Sequence, residues 1–348
     1  MHLPFVSRDQ APLMKLPSIV AAMLWLAAST LSATEVLRVG IVGCDTSHAV
    51  VFTKLMNDPG AAGLLAKVEV VAAFPGGSPD IPSSADRVGG FVETLRGMDV
   101  KIVDSIPELV EQCDAFLLES VDGRPHLAQF KQIAVGKPVF VDKPAAAELA
   151  DVIALFRVAG ETKTPCFSSS ALRYCDAVTT LADDPKIGPI EGCSVASPYQ
   201  TEPHHIDLAW YGVHGVESIY AMMKPGCQSV SRVDGDSAIV VTGRWEGGRL
   251  ATFRGLKNRS DYAFTAFGKK RLAFRQGFSG YEPLVEKICQ FFITGAPPVT
   301  AAETIEMFAF MEAADESLRR DGALVTTQEM LERAEKKLAA APADEAAR

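Results

Sequence analysis

The sequence has no surplus of positive charge. Its 34 Lys and Arg stand against 43 Asp and Glu, a net charge of −9. Nucleic acid and anionic membrane surfaces both require a basic patch, so neither is expected as a partner. There is no C-x-x-C pair among the seven cysteines (44, 113, 166, 175, 193, 227, 289). They lie mostly in apolar runs and read as small buried hydrophobes; an odd number permits a disulfide but implies no framework. Low-complexity tracts and internal repeats are missing too. The unbroken apolar run Ile19 to Ala28 has ten residues, half of what a membrane span needs.

Two further absences are local. A dinucleotide-binding turn reads G-x-G-x-x-G between a strand and a helix. Here Leu37 to His48 reads LRVGIVGCDTSH, with Gly43 at the first position and Asp45 and His48 where the other two glycines belong. Strand two of such a domain ordinarily ends in an acid that binds the ribose 2′-OH. This one ends at Phe74, followed by Pro75-Gly76-Gly77-Ser78. With Ser78 and Arg87 nearby, the missing acid is compatible with NADP and equally with no dinucleotide.

Two domains are the default for 348 residues. Residues 1–33 read as a signal peptide: Arg8 and Lys15 ahead of the apolar run, then small and polar residues from Ser29 to Ala33. Met14 opens a well-proportioned signal by itself. Without a twin arginine, the pattern predicts export by the general secretory route to the periplasm or beyond, with no integral span left after processing.

From Leu37 short apolar strands alternate with helices. Strands are expected at Leu37–Val42, Val68–Phe74, Val100–Val103, Ala115–Glu119 and Pro138–Val141. Helices are expected after Thr46 or Ser47, over Asp86–Arg96, Ile106–Gln112, Pro125–Val135 and Ala145–Ala159. This alternation predicts an α/β fold with a Rossmann-like, doubly wound parallel sheet over 35–165. After Cys166 the pattern changes. Ala238–Trp245 and Leu250–Arg254 flank Glu246-Gly247-Gly248, and Tyr262–Phe267 and Arg271–Phe274 flank Gly268–Lys270, so two hairpins are expected. Residues 166–325 therefore read as a second α/β domain with an open, mostly antiparallel sheet. Helices follow at Tyr281–Phe292 and from a Thr300/Glu303 capping box, and 326–348 reads as a charged tail forming a frayed helix.

Three stretches, in this order, resemble the glucose–fructose oxidoreductase / inositol dehydrogenase (Gfo/Idh/MocA) family. They are the glycine turn, Val139-Phe-Val-Asp-Lys-Pro144, which is similar to the family's E-K-P motif, and Trp210-Tyr-Gly-Val-His-Gly-Val-Glu217, which is similar to D-x-G-x-H-x-x-D. The likeness spans nearly all of the mature chain. It implies NAD or NADP as cofactor and hydride transfer on a sugar or polyol, with a homo-oligomer formed through the second domain's sheet. It implies catalytic roles for Lys143 and His214. Cofactor contacts would fall at Gly43, Asp45, Ser47, His48, Ser78, Ser120, Asp142 and Lys143. Substrate contacts would fall at His126, Arg173, Tyr211 and His214. No metal is expected, although Glu202, His204 and His205 lie upstream of His214.

The residue chemistry agrees in part. An ammonium at Lys143, at the carboxyl end of a parallel strand, can polarise a carbonyl or acidify a hydroxyl. An imidazole at His214 can exchange the proton that alcohol oxidation releases. Trp210 stands where the motif has an aspartate, and Asp45 would repel a diphosphate unless it turned away to cap the helix. Two other readings remain open. One is an NAD-dependent glycosidase-type enzyme; the other is a non-redox sugar-binding protein that has lost the dinucleotide site.

Overall fold

The computed structural model describes residues 36–340. The segment read as an export signal and the end of the tail lie outside the described residues. The first sheet contains β1 (Leu37–Val42), β2 (Val68–Phe74), β3 (Lys101–Ile102), β4 (Ala115–Leu118), β5 (Val139–Val141) and β6 (Cys166–Ser168). Their order is β3-β2-β1-β4-β5-β6 and every pair is parallel. Strand order reverses between β1 and β4, which opens a crevice at their carboxyl ends. Side chains of the central strands alternate between two buried clusters. Leu117 and Phe140 pack with Phe52 and Phe167 on one face; Leu118, Val139 and Val141 pack with Phe130 on the other.

The second sheet contains β7 (Ile190–Pro198), β8 (Cys227–Asp234), β9 (Ala238–Trp245), β10 (Leu250–Leu256), β11 (Ala263–Gly268), β12 (Leu272–Gln276) and β13 (Val325–Thr326). The order is β12-β11-β7-β10-β9-β8-β13, antiparallel except where β7 lies parallel to β10. Helices Val213–Met223 and Ala301–Arg319 cover one face. On the other face Leu250, Phe267, Leu272 and Phe274 are exposed. One buried cluster runs from Leu118 and Val141 of the parallel sheet to Phe253 and Trp245 of the mixed one, so the two sheets share a core.

Several expected elements are altered by tertiary contacts. The helix expected from Ala145 begins at Leu149, whose N–H donates to Glu312 Oε1 at 2.8 Å. The helix expected over Asp86–Arg96 is found at Val88–Arg96, preceded by a separate short helix at Pro82–Ala85. Of the tail, the described part Thr327–Ala340 is a helix with Met330 and Ala334 buried and Lys337 paired to Glu148. Strand β8 escaped sequence reading because a charged residue fills one of its core positions. Arg232 is buried there, paired with Asp207, Asp234 and Asp315. Among the described residues, no helix is long and apolar enough to cross a membrane. All seven cysteines are buried and free.

Candidate functional site

The turn after β1 is built by close packing. Gly43 has φ +92°, and a Cβ there would lie 2.4 Å from the Ser120 backbone nitrogen, so only glycine fits. Its N–H donates to Phe74 O at 2.9 Å, and that of Cys44 to Pro75 O at 2.7 Å. These bonds bind the turn to the end of β2. Asp45 turns inward: its Oδ1 accepts from the Val121 N–H at 3.0 Å and its Oδ2 from the Ser84 hydroxyl at 2.6 Å. Thr46, in extended conformation, caps the helix Ser47–Met56 by accepting from the His48 N–H.

That helix N-terminus opens onto a cleft of about 310 Å³. Thr46, Ser47 and His48 form one side, Lys143 lies at the end of β5, and Ala171 and Leu172 follow β6. Trp210, Tyr211 and His214 face them. Tyr262, Phe278 and Tyr281 add aromatic wall, and Ser83, Arg87 and Gln200 add polar rim. No Asp or Glu is among these lining residues.

Beneath the cleft lies a buried charge cluster. His48 Nδ1 is 2.7 Å from Asp142 Oδ2, and its ring stacks on Phe52 and makes a T-shaped contact with Tyr281. Burial alone would push the Asp142 carboxyl up. The His48 imidazole and the Lys143 ammonium reverse that and hold it below the usual carboxylate range. Behind it, Glu119 is fully buried and neither carboxyl oxygen has a hydrogen-bond partner. Burial, reinforced by Asp142, pushes Glu119 well above the ordinary range. Across the cleft, His214 Nδ1 lies 2.6 Å from Ser170 Oγ. Burial, with Lys143 and His48 nearby, lowers His214 well below the ordinary imidazole value and keeps it neutral.

Of the residues singled out in the sequence, the cleft collects Ser47, His48, Lys143, Tyr211 and His214. Asp142 stands behind His48. The others are used elsewhere. Gly43 packs on Ser120, whose hydroxyl donates to Gln129. Asp45 braces the loop after β4. The Ser78 hydroxyl donates to Asp122 at 2.6 Å. His126 is fully buried, with both ring nitrogens against backbone carbonyls, Ala145 at 3.1 Å and Ser120 at 2.8 Å; it braces the loops and does not face the cleft. Arg173 is buried in ion pairs with Glu217 and Glu303, so its guanidinium has no reach to a substrate. Nor do Glu202 and His205 gather around His214: His205 Nδ1 bonds Glu202 and its Nε2 accepts from the Gly123 N–H at 2.9 Å. Among the described residues, no three His, Cys, Asp or Glu side chains converge on a metal position.

Sequence reading missed Glu119 and the wall formed by Tyr262, Phe278 and Tyr281. A carboxylate ending the apolar run Ala115–Leu118 was a usable signal for Glu119. The aromatic residues carried none, because their position depends on how the second sheet docks.

No protein-family model matches the chain, and no curated protein matches it. Solved structures do. A "probable dehydrogenase from Thermotoga maritima" superimposes with a TM-score of 0.68 at 18% identity, covering 84% of this chain and 100% of its own. Scyllo-inositol dehydrogenase from Lactobacillus casei, solved with NAD(H) and scyllo-inositol, gives 0.67 at 14% identity, covering 84% and 100%. A myo-inositol dehydrogenase from Corynebacterium glutamicum gives 0.67 at 15% identity, covering 84% and 98%. At these identities the likeness establishes a shared fold: a Rossmann-type domain followed by an α/β domain with an open sheet.

Proposed function

We propose that this chain is an NAD(P)-dependent oxidoreductase of the Gfo/Idh/MocA type, acting on a hydroxyl or carbonyl of a sugar or polyol. One observation carries the reading: Lys143 and His214 meet a helix N-terminus in one cleft at the carboxyl ends of a parallel sheet. The fold it shares with inositol dehydrogenases supports it.

The residues present fit a nicotinamide nucleotide. Asp45 is turned away from the cleft, and no carboxylate lines it. The helix N-terminus at Thr46–Ser47 and the Arg87 guanidinium would hold phosphate, and Lys143 stands where the reacting end would lie. When bound, the cofactor supplies the hydride acceptor or donor. Lys143 polarises the substrate oxygen. Neutral His214 hydrogen-bonds the same oxygen or its neighbour. Trp210, Tyr211, Tyr262, Phe278 and Tyr281 offer apolar faces to a sugar or polyol ring and exclude water around it.

Export to the periplasm, from the signal-like residues 1–33, and self-association through the exposed apolar face at Leu250, Phe267, Leu272 and Phe274 belong to the same reading. The experiment is direct. Mature protein is heat-denatured and the supernatant is assayed for released nucleotide; in parallel, melting is followed with NAD+ and NADP+ at millimolar levels. Release of either nucleotide, or a rise in Tm with one of them, is expected. Neither occurring would reject redox chemistry. It would favour the non-redox sugar-binding reading, which has its own support: the Asp45 carboxylate occupies the Val121 N–H that could otherwise reach a phosphate.

A further inference from the structure

We propose that His48, held by Asp142, is the general base of this cleft, and that His214 acts beside it as a neutral hydrogen-bond donor. The inference rests on the oxidoreductase reading for its substrate, a sugar or polyol hydroxyl. It rests on hydrogen-bond accounting for its residues.

The two histidines have opposite tautomers. An ionised Asp142 can only accept, so His48 carries its hydrogen on Nδ1, the atom 2.7 Å from Asp142 Oδ2. That leaves the lone pair on Nε2, and His48 lines the cleft. At His214 the polarity is reversed. Ser170 Oγ accepts from the Leu172 N–H at 3.1 Å, and the acceptor in reach of its own hydrogen is His214 Nδ1 at 2.6 Å. With Nδ1 accepting, Nε2 of His214 carries the hydrogen and serves as a donor. One imidazole is therefore set to take a proton and the other to give a hydrogen bond.

The two rings differ in their partners, a carboxylate at His48 and a hydroxyl at His214. When His48 takes a proton, the imidazolium faces the Asp142 carboxylate at 2.7 Å. Lys143, His214 and Tyr281 are the other titratable groups close to this cluster, Arg87 and Tyr211 line the same cleft, and behind Asp142 stands Glu119, its carboxyl pushed well above the ordinary range by burial, with Asp45 beyond it. A proton on His214 would meet Lys143 and His48 with no carboxylate bonded to its ring. In the oxidative direction the substrate O–H bond breaks and its proton passes to His48 Nε2. The carbon's hydride leaves with both electrons to the nicotinamide nucleotide, and the C–O bond becomes a carbonyl. Asp142 never touches the substrate; it is a positioning residue that fixes the tautomer and stabilises the imidazolium. The position of His48 in the turn is the one at which a dinucleotide fingerprint has its third glycine, so this base is available only to a chain that has given up that glycine.

Two-bond proton–nitrogen spectra of protein labelled with nitrogen-15 in histidine, recorded without substrate from about pH 5 to about pH 9, test the assignment. The expected result is an Nδ1–H tautomer for His48, an Nε2–H tautomer for His214, and a marked change at His48 alone in Asp142→Asn. An Nε2–H tautomer at His48, or no response of His48 to Asp142→Asn, overturns the proposal. With myo-inositol and NAD+ or NADP+ as the turnover probe, His48→Gln is expected to lower kcat by about 100-fold or more and to remove the acidic limb of the pH profile. Turnover in His48→Gln within about threefold of the parent overturns the base assignment while leaving the oxidoreductase reading intact. If the parent binds no nucleotide, that reading falls instead, and the tautomers alone decide whether His48 is the cleft's base.

Discussion

The carboxylate of Asp45 accepts the N–H of Val121 at 3.0 Å, joining the turn after the first strand to the loop after the fourth. Its second oxygen takes the Ser84 hydroxyl at 2.6 Å. An acid in a phosphate-binding turn is here a structural brace. Asp45→Ala leaves a buried N–H and a buried hydroxyl without this acceptor, and a loss of about 1–3 kcal/mol is expected. Asp45→Asn keeps an acceptor for Val121 and is expected to lose less. Urea unfolding of the two variants checks the order; equal losses would contradict the brace.

Lys143 stands at the end of β5 with its ammonium in the cleft. Lys143→Ala is expected to lower turnover by about 100-fold or more, as for loss of a group acting on the reacting oxygen. Its Tm should stay within about 2 °C, because the residue is not part of the hydrophobic core. Steady-state rates with thermal melts separate the two effects; a variant with full turnover would remove Lys143 from the chemistry.

Arg173 is a fastener between the 3-10 turn Ala171–Tyr174, the helix bearing Glu217 and the helix bearing Glu303. Arg173→Met leaves two carboxylates with no cation in a buried place, and about 3–5 kcal/mol of destabilisation is expected. Replacing Glu217 by Gln in the same chain should recover part of it. Denaturant midpoints for the single and double variants measure the recovery, and simple additivity would argue against the pairing.

Glu119 gives a pH dependence with a defined sign. Its folded value is raised by burial and by Asp142, so the native state keeps a proton that the unfolded chain has already released. The contribution to stability is complete below the ordinary carboxylate range and falls as pH rises toward the folded value. Glu119→Gln cannot lose that proton. From about pH 5 to about pH 8 its Tm should gain on the parent's, point by point. Parallel curves would show that Glu119 is ionised in the fold.

Most of the parallel sheet was legible because buried parallel strands read as short apolar runs between helices. β1 and β2 lie where those runs predict, and so does the helix capped by Thr46. The hairpin across Glu246–Gly248 was legible through its turn residues. β8 was not, because Arg232 sits at a core position and is tolerated only through Asp234 beside it on the strand and Asp207 and Asp315 farther along the chain.

For the site, the sequence by itself determined which chemistry was available. It supplied a lysine ending a strand, histidines at 48 and 214, and a glycine turn altered at two of its three glycines. Only the tertiary structure decided which of these groups meet. It sent Asp45, Ser78, His126 and Arg173 to bracing roles and brought His48 from the first helix onto Asp142 just past the fifth strand, 94 residues away. A hydrogen bond depends on direction and on distances near 3 Å, and neither is encoded in the spacing of residues along a chain. What the altered glycine turn meant therefore rested on side-chain direction: Asp45 faces inward as a tie, and His48 faces the cleft.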